Sequence, residues 1–84
     1  MECSVLAVDA VATGRMISQA RKRAGLSVHD LQMVLGLEAP NAIYRWQRGE
    51  TLPKLDHLII LASILSVSLD DLVVVRSMST EQQK

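Results

Sequence analysis

Aromatic residues are almost missing from this chain: its 84 residues include one tryptophan, Trp46, one tyrosine, Tyr44, and no phenylalanine. Leu, Ile, Val, Ala and Met supply most of the apolar content, which disfavours a β-sandwich and favours helices packed through aliphatic stripes. Cysteine is equally scarce. Cys3 stands alone, so no intramolecular disulfide can staple the fold, and no Cys/His cluster has metal-ligand spacing; a reducing, cytoplasmic setting without a bound metal is expected. The longest uninterrupted apolar run, Leu58–Ala62, falls far short of the roughly 20 residues a membrane span needs, and the first residues lack a basic leader segment. Gly-rich phosphate loops are missing, His29 and His57 are isolated, and Cys3 has no paired base in view. The sequence therefore points to no enzyme, no cofactor and no small-molecule substrate.

Net charge is zero, at first sight an argument against a nucleic-acid partner, because neutralising phosphates normally requires an excess of Lys and Arg. The distribution answers this. Between residues 15 and 54 lie seven basic residues (Arg15, Arg21, Lys22, Arg23, Arg45, Arg48, Lys54) against three acidic ones (Asp30, Glu38, Glu50). The flanks hold Arg76 and Lys84 against Glu2, Asp9, Asp56, Asp70, Asp71 and Glu81. A positive face and a negative remainder are expected, the alternative being charges that merely solvate helix surfaces.

A chain of this length makes one small domain, burying only somewhat over 60% of its unfolded surface. Residues 1–12 are mildly apolar and suit an extended arm. Thr13 can cap a first helix whose apolar positions Ile17, Ala20 and Ala24 recur at helical steps, with Gly25 suited to its left-handed exit. Ser27 and Asp30 have the spacing of a capping box for a second helix, along which Leu31, Val34 and Leu35 face inward until Gly36. Pro40 suits the first position of a third helix, because its missing N–H is not needed there, and Gly49 ends it. A fourth helix from about Lys54 through Leu65 carries the stripe Leu55, Leu58, Ile59, Ala62 and Leu65. Ser68 and Asp71 repeat the capping signature for a short fifth helix ending at Leu72 or Val73, and the polar stretch 77–84 reads as a frayed tail. The expected class is all-α.

The third helix carries the functional signal. On a helical wheel Ala42, Ile43 and Trp46 fall together, while Asn41, Tyr44, Arg45 and Arg48 gather opposite. One side can pack while the other reaches outward. Base edges in a major groove are read by planar hydrogen-bonding ends, Arg on guanine and Asn on adenine, and Asn41 and Arg45 have such ends. A solvated face would show the same stripe, so the weight falls on the order of elements: capped helix, short turn, short helix, stop glycine, packing helix.

That order, in "ARKRAGLSVHDLQMVLGL" followed by "EAPNAIYRWQRGETLPKLDHLIILASILSVSLDDLVV", resembles the Cro/repressor-type (XRE-like) helix-turn-helix family over Gly14–Val73. The resemblance implies a five-helix, lambda-repressor-like domain, here residues 13–76 between an N-terminal arm (1–12) and a flexible tail (77–84). It also implies a transcriptional regulator, a repressor by expectation, that binds double-stranded DNA sequence-specifically as a homodimer on a two-fold site. Carried over by position, Pro40, Asn41, Tyr44 and Arg45 are the base-contact candidates. Ser27, with Val28 beside it, lies where the family presents amides to a phosphate. Arg48 and Lys54 are candidates for neighbouring phosphates, or else solvated charges. Trp46 and Ile43 are read as core, and Trp46→Ala is expected to cost about 3–5 kcal/mol through cavity formation.

Three departures accompany the resemblance. Val28 replaces a frequent Gln, removing a side-chain donor from the second helix. The spacing from Gly36 to Ile43 is one residue longer than the commonest pattern, so the turn Leu37–Ala39 sets the third helix at its own angle. Arg21 faces Gln47 where a glutamate is usual, turning an ion pair into a charged-to-neutral hydrogen bond. Zero net charge, Val28 and the acidic flanks keep a second function open, a protein-interaction module on the same fold, such as an antitoxin or co-regulator.

Overall fold

The computed structural model describes residues 4–79. Five helices follow one another in it, α1 (Ala10–Arg23), α2 (Val28–Leu35), α3 (Asn41–Arg48), α4 (Leu55–Leu65) and α5 (Leu69–Leu72), between two short strands, β1 (Ser4–Val8) and β2 (Val75–Ser79). Helices carry the whole hydrophobic core, so the domain is essentially all-α.

The boundaries follow local chemistry. Asp9, not Thr13, caps α1: its backbone is extended and its carboxylate accepts the Ala12 amide at 3.0 Å. A carboxylate at the positive end of a helix is the stronger cap, and the helix therefore starts four residues before the expected one. Thr13 lies fully buried inside α1, where its hydroxyl accepts the Val74 amide at 2.9 Å. The capping box of α2 forms in both directions, Asp30 N–H to Ser27 Oγ at 3.0 Å and Ser27 N–H to Asp30 Oδ2 at 2.8 Å. Gly36 and Gly49 end α2 and α3 with φ of 69° and 78°, values that only glycine adopts at little steric cost. Pro40 is the residue preceding α3 rather than its first helical one. Ser68 caps α5 by accepting the Asp71 amide.

Ile17, Leu31, Ile43, Leu61 and Leu72 are the innermost side chains, one from each helix, with Ala20, Leu35, Trp46, Ala62 and Leu65 around them. Three residues expected inward are not. Val34 is 54% exposed, and on α4 Leu55 and Ile59 are 67% and 53% exposed while Leu61 is buried. Because α4 reads LDHLIILASIL, apolar on nearly every side, its periodicity cannot select a face; the packing against α2 and α5 does.

Of the arm expected over residues 1–12, residues 4–8 are extended and also paired, residues 10–12 belong to α1, and residues 1–3, Cys3 among them, lie outside the described ones. β1 and β2 form a two-stranded antiparallel sheet with Leu6 opposite Ser77 and Val8 opposite Val75. Residues 77–79, read as the start of a frayed tail, thus belong to a strand; residues 80–84 lie outside the described ones. The sheet is tied to α1 through Asp9 N–H to the Val74 carbonyl at 2.7 Å and through Thr13.

Candidate nucleic-acid interface

Helix α3 is fixed from behind and free in front. Ile43 is 0% exposed and Trp46 5%; the Trp46 ring lies 5.6 Å from that of His57 on α4, and His57 is half-buried against it. On the opposite side Asn41, Tyr44, Arg45 and Arg48 are all exposed. An α-helix is about 10–12 Å across with its side chains, which fits the width of a major groove, and the eight residues of α3 give it a little over two turns. Asn41 stands at its first turn, and the planar ends of Asn41 and Arg45 project one turn apart.

Further contacts hold the back of α3. Arg21 Nε donates to Gln47 Oε1 at 3.0 Å, and Arg21 Nη1 donates to the Leu26 carbonyl at 2.9 Å. One guanidinium thus links α1, the turn before α2, and the recognition-type helix. Between α2 and α3, Gly36 turns the chain, and the amide of Leu37 donates to the Gln32 carbonyl at 3.0 Å while its half-buried side chain packs on the core.

Ser27 has less to offer a phosphate than its position suggests. Its amide and its hydroxyl are both engaged in the capping box with Asp30, leaving the amides of Val28 and His29, which the first turn of a helix cannot satisfy internally. The Ser27 backbone N–H first, and its side chain second, hold the Asp30 carboxyl below the usual carboxylate range. Arg48 is also engaged. Its guanidinium meets the Glu50 carboxylate at 2.6 and 3.4 Å, raising Arg48 and lowering Glu50 from their ordinary values chiefly through that hydrogen bond. Arg45 adds a smaller electrostatic pull on Glu50. Lys54 is exposed at the residue preceding α4.

Glu50 is the site residue that sequence reasoning missed as a partner; its spacing of two from Arg48, across the bend at Gly49, was the available signal. Among the described residues no group of three His, Cys, Asp or Glu side chains could hold a metal, and no helix is long and apolar enough to cross a membrane.

A helix-turn-helix family model of the Cro/repressor type matches residues 17–72. Among solved structures, the chain is similar to the restriction-modification controller protein C.AhdI from Aeromonas hydrophila, with 26% identity, a TM-score of 0.67, and coverage of 76% of this chain and 96% of that one. No curated protein matches it. The family match spans more than half of the chain, from α1 through α5, and the protein belongs to the Cro/repressor-type (XRE-like) helix-turn-helix family of DNA-binding transcription regulators.

Proposed function

We propose that this protein is a cytoplasmic, sequence-specific regulator, a repressor by steric occupation of its site, that lays α3 in the major groove of double-stranded DNA. Asn41 and Arg45 are the base readers in this reading, with Pro40 and Tyr44 beside them at the groove. The free amides of Val28 and His29, beside the capped Ser27 at the start of α2, serve the phosphates together with Arg48 and Lys54. One observation carries it: Ile43 and Trp46 are buried while Asn41 and Arg45, on the same eight-residue helix, are exposed.

One eight-residue helix reads few base pairs, so useful specificity favours two copies on a two-fold site. Leu69 and Val75 are exposed and, with Leu55, Leu58, Val73 and the one charged residue Asp70, line a mainly apolar groove of about 490 Å³ beside α5 and β2. This is the surface assigned to the second copy. Size exclusion with light scattering is expected to give a dimer that Leu69→Lys converts to a monomer.

The deciding experiment selects bound duplexes from random DNA and follows the selected duplex by gel shift through a salt series. Affinity is expected to fall steeply with salt, Arg45→Ala to relax preference at one base pair, and Lys54→Ala to weaken all duplexes alike. Indifference of every duplex to both substitutions would replace this reading with the protein-interaction module.

A further inference from the structure

Helix α1 and helix α3 touch backbone to backbone, and the contact passes through a glycine that is neither a turn nor a cap. Gly14 lies inside α1, buried. A Cβ placed on it would stand 2.1 Å from the Trp46 carbonyl oxygen, 3.0 Å from that of Gln47 and 3.1 Å from the Gln47 carbonyl carbon. None of these atoms belongs to a side chain that can rotate away. The Trp46 carbonyl is moreover held in place, since it accepts the Gly49 amide at 3.0 Å in the cap of α3. One turn earlier on α1, Val11 makes the matching approach: a Cβ on Gly49 would fall 2.7 Å from the Val11 Cα. Two turns later on the same side, Arg21 holds Gln47. Positions 11, 14 and 21 of α1 therefore form a rail along the C-terminal half of α3, beyond which the N-terminal half is anchored by Ile43 and exposes Asn41 and Tyr44.

We propose that Gly14 is a positioning residue for DNA reading: by allowing α1 to press directly on the carbonyls of Trp46 and Gln47, it sets the height and angle at which Asn41 and Arg45 are presented. The inference rests on the function proposed above. An added methyl must drive α3 off α1 by at least about 1.3 Å before the carbon, now 2.1 Å from the oxygen, reaches ordinary contact. Asn41 lies five residues from Trp46, about 7–8 Å along the axis, so the displacement is transmitted to the readers and not absorbed between them. Bidentate base contacts tolerate little misplacement, whereas phosphate contacts made by long, flexible side chains tolerate more.

Gly14→Ala in the full chain is the test, with binding to the selected duplex and to a random duplex compared on the same preparation and helicity followed by circular dichroism. Gly14→Ala is expected to remain helical and to keep its affinity for random DNA within about twofold and its salt slope unchanged. Its preference for the selected duplex should fall about tenfold, the size of one good bidentate contact. If that variant does not fold, Arg21→Ala, which releases the same rail at Gln47, must show the same selective loss. A folded variant with undiminished preference overturns the inference, as does a loss shared equally by both duplexes, or the failure of both variants to fold. Arg45→Ala separates the two readings. If it abolishes preference while Gly14→Ala does not, the positioning role alone falls; if the unaltered protein shows no preference among duplexes, the underlying function falls with it.

Discussion

Arg21 on α1 and Gln47 on α3 are joined by a 3.0 Å hydrogen bond from Nε to Oε1, with the same guanidinium also held by the Leu26 carbonyl. A charged donor on a neutral acceptor in a part-buried setting contributes about 1.5–3 kcal/mol at most. Gln47→Glu places a carboxylate where the amide oxygen now accepts, and is expected to be tolerated or stabilising. Arg21→Ala removes both bonds and leaves Gln47 and the Leu26 carbonyl without their donor, and should cost about 1.5–3 kcal/mol. Thermal melts of the two variants check both; a clear loss in Gln47→Glu would contradict the pairing.

Trp46 supplies the largest side chain behind the reading face, 5% exposed and facing the His57 ring. Trp46→Ala should cost about 3–5 kcal/mol by opening a cavity between α3 and α4. In a domain of this size that lowers the melting temperature by well over about 10 °C. Trp46→Phe keeps a ring and should lose markedly less. An unchanged melting temperature in Trp46→Ala would remove Trp46 from the core.

Much of this architecture was legible in the chain because it is written in local chemistry. Ser27 with Asp30, Ser68 with Asp71, Gly36 and Gly49 each specify a helix end through their nearest neighbours, and four of these ends lie where the sequence puts them. The opposed faces of α3 were legible too, since Ile43 and Trp46 alternate cleanly with Asn41 and Arg45. What was not legible depends on distant partners. The pairing of residues 4–8 with 75–79 joins the two ends of the described chain, and neither segment announces a strand by itself. The inward face of α4 is chosen by its neighbours, not by its own pattern. Thr13 and Asp9 compete for one helix start, and β1, ending at Val8, gives it to Asp9. Gly14 looks like a weak point in a helix until Trp46 is placed against it.

The capping box makes the start of α2 sensitive to acid. Asp30 is held below the usual carboxylate range by the Ser27 amide, so the contribution of the box is fully present above the ordinary carboxylate pKa and is lost as pH falls through the lowered folded-state value. The melting temperatures of the unaltered protein and of Asp30→Asn should therefore differ at neutral pH and converge in acid, the reverse of the pattern expected for a raised group. Ser27→Ala removes the hydroxyl acceptor and should cost about 1 kcal/mol, or roughly 4–8 °C, near neutral pH. Parallel curves at all pH values would show that Asp30 does not act through its charge.

Arg48 is presented on the reading side of α3 but is neutralised by Glu50, through contacts of 2.6 and 3.4 Å in which both side chains are about half exposed. An exposed pair of this kind stabilises the fold little, because water screens it and two flexible side chains must be ordered to make it. Its effect on DNA binding is larger. A phosphate approaching Arg48 must displace the Glu50 carboxylate, and the carboxylate repels the phosphate while it remains near. Glu50→Gln should thus leave the melting temperature nearly unchanged while raising affinity for random and selected duplexes alike. Its plot of log affinity against log salt should steepen by about one, corresponding to one additional phosphate neutralised. Arg48→Ala in the Glu50→Gln background should return the slope to its original value. If Glu50→Gln binds DNA no better than the unaltered protein at low salt, Arg48 is a solvated charge and the phosphate contacts must be assigned to Lys54 and the amides of α2.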